Sequence, residues 1–161
     1  MGLTARSPVE ADVEALAALI EEIERFYGAK EIQPLDERIA QVRAALFSPI
    51  PLSFALLAEN DRREMLGLAA YSYLWPAAGS THSMFLKELY VREGVRGAGV
   101  GRFLIEELKR VASAREGCSR LEWETDVDNA GARAFYAALG VSEFPGKVFY
   151  RVQGEDLKPS E

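Results

Sequence analysis

Apolar positions along the chain change their period several times, and each change marks an element. Leu3 to Arg6 can form a short strand, after which Ser7-Pro8 and the acidic Glu10 read as a helix start with proline in the first turn. Val13, Leu16, Leu19, Ile20 and Ile23 then recur at steps of three and four up to Tyr27-Gly28, the pattern of an amphipathic helix. A second helix is predicted from Asp36 to Phe47, with Ile39, Val42, Leu46 and Phe47 apolar; it stops before Ser48-Pro49-Ile50-Pro51. The polar segment between them, Ala29 to Leu35, contains Pro34 and reads as a loop.

Beyond residue 52 the pattern favours strands. Ser53 to Glu59 and Met65 to Trp75 form a predicted hairpin joined by Asn60-Asp61-Arg62-Arg63. After the loop Pro76 to Ser80, a third long strand is expected from His82 to Arg92, followed by glycines and a helix from Val100 to Arg115. In that helix Val100, Phe103, Leu104, Leu108, Val111 and Ala112 line one face, while Arg102, Glu106, Lys109 and Arg110 lie away from it. Leu121 to Thr125 is the next predicted strand, Asn129 to Leu139 a further helix, and Lys147 to Val152 a last strand.

A length of 161 residues suits one domain, 1–161, with its own core, and the ordinary charged and apolar fractions exclude disordered and fibrous classes. Cys118 is the single cysteine, which rules out an internal disulfide framework and fits a reducing compartment. Arg6, Pro8, Glu10 and Asp12 precede any apolar run, unlike a signal peptide, and Met65 to Trp75 is too short to span a bilayer. A cytoplasmic protein is therefore expected, with no membrane partner. The net charge of −6 argues against nonspecific nucleic-acid binding and mildly favours a cationic substrate. No cluster of His, Cys and acids has metal-ligand spacing, so no metal is implied.

The chemistry concentrates at Arg96-Gly97-Ala98-Gly99-Val100-Gly101. A strand that turns through glycines into a helix is an anion site, because glycine lets the backbone close around a phosphate and the helix start presents unpaired N–H groups. Two common nucleotide motifs fail. Counting from Gly97, the sixth position of a dinucleotide fingerprint is Arg102, and no Gly-Lys-Ser/Thr closes the loop as in nucleotide hydrolases.

What remains, Val91-Arg92-Glu93-Gly94-Val95-Arg96-Gly97-Ala98-Gly99-Val100-Gly101, resembles the pyrophosphate loop of the GNAT superfamily of acetyl-CoA-dependent N-acetyltransferases. A second block, Asn129 to Val141, resembles the same superfamily's Asn-x-x-Ala-x-x-Phe-Tyr-x-x-x-Gly-Phe segment and departs from it only at Val141. Read physically, Asn129 can cap a helix on which Ala132, Phe135, Tyr136 and Leu139 share a face, and Gly140 suits the left-handed position after it. The likeness covers Phe85 to about Arg151 closely and the N-terminal half by element order alone. It implies an α/β (α+β) fold with a mixed, mainly antiparallel six- to seven-stranded sheet and helices on both faces.

The resemblance also implies site residues. Acetyl-CoA, as co-substrate, would be held by the backbone of Leu89, Tyr90 and Val91, by Arg96, Gly97, Ala98, Gly99, Val100, Gly101 and Arg102, and by Asn129, Phe135 and Tyr136. Arg102 could equally point to solvent, and Arg96 could be a solvated surface charge. The strand ending at Tyr90-Val91 would part from its neighbour, so that the pantetheine arm completes the sheet. Tyr136 is the candidate acid for the leaving thiolate, although the Phe135-Tyr136 pair could also be core packing. Glu88 is the candidate base. Its strand alternation turns it to either a substrate cleft or solvent, while Glu122, Glu124 and the lone His82 are weaker alternatives. The expected acceptor is a primary amine of a small molecule, polyamine or amino-acid-like, in view of a looser likeness to diamine acetyltransferases. Peptide acetylation and a non-catalytic acyl-CoA-binding module are the other readings, and a homodimer is compatible with the superfamily. The acids Glu21, Glu22 and Glu24 and the aromatics Phe26 and Tyr27 could line an amine site or form an ordinary charged helix face.

Overall fold

The computed structural model, which describes residues 2–159, contains the first helix that the apolar steps predict. This helix, α1 (Val13–Phe26), buries Val13, Leu16, Ala17, Leu19 and Ile23 along one side. It begins later than Ser7-Pro8: Val9 remains extended and a 3-10 turn, Glu10–Asp12, leads in, with the Asp12 carboxylate accepting the Val9 N–H at 2.7 Å. Before it lies β1 (Thr4–Arg6), and after it α2 (Leu35–Phe47). The one buried residue of α2 is charged. Arg38 donates from Nε to the Gln33 carbonyl at 3.0 Å, from Nη1 to the Ala17 carbonyl and from Nη2 to Glu21 Oε2 at 2.7 Å, fastening α2 onto α1.

The sheet follows chain order, β1, β2 (Phe54–Glu59), β3 (Met65–Leu74), β4 (His82–Val91) and β5 (Cys118–Trp123). The first three pairings are antiparallel and β4 with β5 is parallel. Register places Leu57 opposite Leu68 and Leu68 opposite Tyr90. On that face these residues and Ala55 pack with Leu16, Leu19 and Ile23 of α1. Burying each such leucine is worth about 1.5–3 kcal/mol. α3 (Val100–Ala114) crosses β2 to β5, burying Val100, Leu104, Ile105, Leu108 and Ala112. Within the sheet, Gly67 permits the close approach of β4, since a Cβ there would stand 2.6 Å from the Tyr90 carbonyl oxygen.

The described residues form five strands, not the six or seven expected. Lys147 to Val152 has no strand hydrogen bonding, and Val148, Phe149, Tyr150 and Val152 are all exposed. Alternating β-formers make a strand only when a neighbouring backbone completes their ladder, and local composition cannot supply that neighbour. β5 also starts three residues earlier than predicted and ends at Trp123, which leaves Glu124 outside it.

The chain divides into two compact units, Met1–Glu124, which holds all of these elements, and Thr125–Glu161. In the second, α4 (Ala130–Ala138) is capped by the Asn129 side chain, whose oxygen accepts the Ala132 N–H at 3.1 Å. It ends in a Schellman turn: Gly140 (φ 77°) donates to the Ala137 carbonyl and Val141 to that of Tyr136.

Candidate functional site

β4 carries the site because its pairing changes along its length. Ala70 faces Glu88 but Tyr71 faces Leu86, so Lys87 is an extra residue, a bulge in β4. The parallel pairing with β5 ends at Leu86 opposite Trp123. Lys87 to Val91 therefore runs on with β3 on one side and no β5 partner on the other.

After Val91 the chain makes a 3-10 turn, Glu93–Val95, and enters α3 through the glycines. Gly97 (φ 80°) and Gly99 (φ 86°) are left-handed, and a Cβ added to either would meet nothing within 4 Å. Backbone conformation, rather than room, demands glycine there. Gly99 is the N-cap of α3, so no side chain caps the helix, and its first turn has no acid. The first N–H groups of α3 are thus presented to an anion without a competing carboxylate.

Arg96 stands beside this helix start. Its Nε donates to the Val91 carbonyl at 2.9 Å, and its guanidinium carbon lies 4.6 Å from the centre of the Phe26 ring and 5.4 Å from that of Tyr90. Its two Nη groups make no hydrogen bond with the described residues. They form a fork of the kind that grips phosphate oxygens. An open cleft of about 330 Å³ lies here, lined by Glu22, Arg25, Phe26, Tyr90, Glu93 and Arg96. Arg92 pairs with Glu22 at 3.2 Å, across from β4 to α1.

Glu88 shares the α1 side of the sheet with Tyr90, two residues on. It is half-buried, and Tyr27 Oη at the end of α1 donates to its Oε1 at 3.3 Å. Burial pushes the Glu88 carboxyl above its usual range, opposed by the Tyr27 hydrogen bond and the charge of Lys87. A carboxylate made more basic by its surroundings is suited to removing a proton from an ammonium group. His82 lies at the far end of β4, where its Nε2 accepts from Arg115 Nε at 3.1 Å. Glu122 has Arg120 at 3.8 Å.

The profile described as Acetyltransferase (GNAT) family matches residues 16–141. The chain belongs to the GNAT acetyltransferase family. It is an acetyl-transferring enzyme, similar to the aminoglycoside N(6')-acetyltransferase type 1 of Serratia marcescens, with 31% identity over 73% of this chain and 80% of that one. Thialysine N-epsilon-acetyltransferase of Bos taurus is 28% identical over 95% of this chain and 94% of its own. An integron cassette protein from the mobile metagenome of V. cholerae superposes with a TM-score of 0.87, at 26% identity, covering 98% of this chain and 96% of that one. At 22% identity, an aminoglycoside N-acetyltransferase crystallised with CoA shares the fold with a TM-score of 0.74, covering 95% of this chain and 96% of its own.

In this GNAT enzyme the first compact unit brings together Glu88, Leu89, Tyr90, Val91 and the loop from Arg96 to Arg102. Asn129, Phe135 and Tyr136 belong to the second unit, where Asn129 caps α4 and the Phe135 and Tyr136 rings lie 5.1 Å apart. Sequence reasoning offered Phe26 and Tyr27 only as possible lining of an amine site and missed their contacts with Arg96 and Glu88. Phe26 under Arg96 and Tyr27 on Glu88 are contacts between residues about seventy and sixty positions apart, and no local pattern encodes them. Among the described residues, no group of three or more His, Cys, Asp or Glu gathers as around a metal, and no helix is long and apolar enough to cross a membrane.

Proposed function

We propose that this enzyme transfers the acetyl group of acetyl-CoA to a primary amine of a small, cationic molecule. The observation that carries the reading is the join of β4 to α3: an unpaired strand edge leads into left-handed glycines, an uncapped helix start and the open fork of Arg96. These fit coenzyme A. The loop N–H groups and Arg96 would take the pyrophosphate, with Arg102 at the rim; Asn129 and Phe135 are the further cofactor-binding candidates. The edge from Lys87 to Val91 would accept the amides of the pantetheine arm as an added strand, Leu89 and Tyr90 lying along it. A backbone N–H near Val91 would then polarise the thioester carbonyl.

The chemistry is direct transfer. Glu88, itself or through water, takes a proton from the acceptor's ammonium group. The amine nitrogen forms a bond to the acetyl carbon, the carbon–sulfur bond breaks, Tyr136 gives a proton to the departing thiolate, and the second proton that the nitrogen sheds on becoming an amide passes, directly or through water, to the Tyr136 phenolate, so that amide and free CoA thiol leave. A small amine is supported by two relatives, one named for aminoglycosides and one for thialysine. The two units would act as one catalytic domain.

Release of CoA thiol, measured with polyamines, amino acids, aminoglycosides and peptides, tests the reading. Turnover with one of the small amines at least tenfold above that with peptides is expected. Tight acetyl-CoA binding without turnover of any amine would make the chain a cofactor-binding module instead.

A further inference from the structure

α1 ends in two consecutive aromatic residues whose side chains serve different parts of the site. The Phe26 ring lies beneath the Arg96 guanidinium at 4.6 Å, while the Tyr27 hydroxyl donates to Glu88 at 3.3 Å. The two rings meet edge to face at 5.2 Å, and Phe26 also meets Tyr90 edge to face at 6.0 Å. Neither residue belongs to the strand, loop and helix that carry the family pattern. Both are more than half exposed, so burial of their own surface does not account for the arrangement.

We propose that Phe26 and Tyr27 are positioning residues: Phe26 holds Arg96 ready for the anionic part of the acetyl donor, and Tyr27 aims Glu88 at the acceptor amine. The assignment rests on the roles given above to Arg96 and Glu88. Arginine has a long, flexible side chain, and a guanidinium free to wander must be immobilised when it binds an anion. Here one donor is tied to the Val91 carbonyl and the plane rests on an aromatic face, which leaves the Nη fork already oriented. Removing the Phe26 ring leaves the Val91 bond and the more distant Tyr90 ring, so the expected loss is moderate.

Tyr27 acts on a carboxylate. The groups that face Glu88 are the Tyr27 hydroxyl from the end of α1 and Lys87 beside it on β4, while Ala70 opposite on β3 carries no charge. A hydrogen bond to the ionised form stabilises it against burial, so its loss makes the carboxyl harder to ionise. The Tyr27→Phe change therefore moves Glu88 ionisation to higher pH.

The test uses the full chain with CoA as the probe. Calorimetry gives CoA affinity for the unaltered protein, Phe26→Leu, Phe26→Trp and Tyr27→Phe, and the Glu88 carboxyl carbon resonance, assigned with Glu88→Gln, is followed against pH in the same set. Phe26→Leu should weaken CoA binding about two- to fivefold and leave the Glu88 titration in place, with Phe26→Trp restoring affinity. Tyr27→Phe should keep CoA affinity and shift the titration upward. Unchanged CoA affinity in Phe26→Leu, or a Tyr27→Phe titration that superposes on the unaltered one, overturns this assignment alone. So does a result in which each variant moves both readouts along with the melting temperature, since that is the mark of a structural role. Absence of CoA binding by the unaltered chain overturns the reading beneath it as well.

Discussion

Tyr136 shows how much and how little a single residue reveals. Its identity and its place on the α4 helix were legible from the Asn129 to Gly140 block, and the cap and Schellman turn that bound that helix are observed as expected. Its proposed role as acid predicts that Tyr136→Phe lowers kcat by about ten- to a thousandfold while CoA binding is nearly preserved, measured by steady-state kinetics beside calorimetry. An unaltered kcat would remove Tyr136 from the chemistry. Glu88 was legible only as an acid in a strand that could face either way. Its position on the α1 side of the sheet, partly buried under Tyr27, was decided by the course of two elements far apart in the chain.

Elements were legible where the apolar period is long and unbroken, as in α1 and α3, and where a strand has neighbours on both sides, as in β3 and β4. The failed strand at Lys147 to Val152 has the right composition and no ladder, while the Lys87 bulge left no mark in the pattern at all. α2 gives the sharpest contrast, because its apolar residues are partly buried or exposed and its one buried side chain is Arg38. That guanidinium donates to two carbonyls and a carboxylate, and a hydrophobic replacement would remove all three of these hydrogen bonds, leaving Glu21 with Arg25 alone. Arg38→Met is therefore expected to destabilise the fold by about 2–4 kcal/mol in urea unfolding followed by circular dichroism. A change below about 0.5 kcal/mol would show that the fastening of α2 to α1 is dispensable.

At the scale of the first compact unit, Arg6 joins three elements that the sequence keeps apart: it pairs with Asp12 before α1 and with the nearly inaccessible Glu59 at the end of β2. The hydrogen bonds from Arg6 hold Asp12 below the usual carboxylate range, helped by the Val9 N–H. A depressed acid contributes stability at pH values above its unfolded range, near 4, and loses it as pH falls through the lower folded value. The melting temperature should accordingly fall more steeply between about pH 5 and pH 2 in the unaltered protein than in Asp12→Asn. Parallel curves would assign the acid sensitivity to other groups. By itself the sequence carried the likeness to the family in its glycine loop and Asn129 to Gly140 block, and it determined most helices and strands, because these depend on local backbone preference and on the periodic burial of apolar side chains. Only the tertiary structure decided the sheet's extent, the end of β4–β5 pairing, the buried Arg38, and the placing of Phe26 and Tyr27 against Arg96 and Glu88. Each of these depends on a partner distant in the chain, and no residue's own neighbours can specify one.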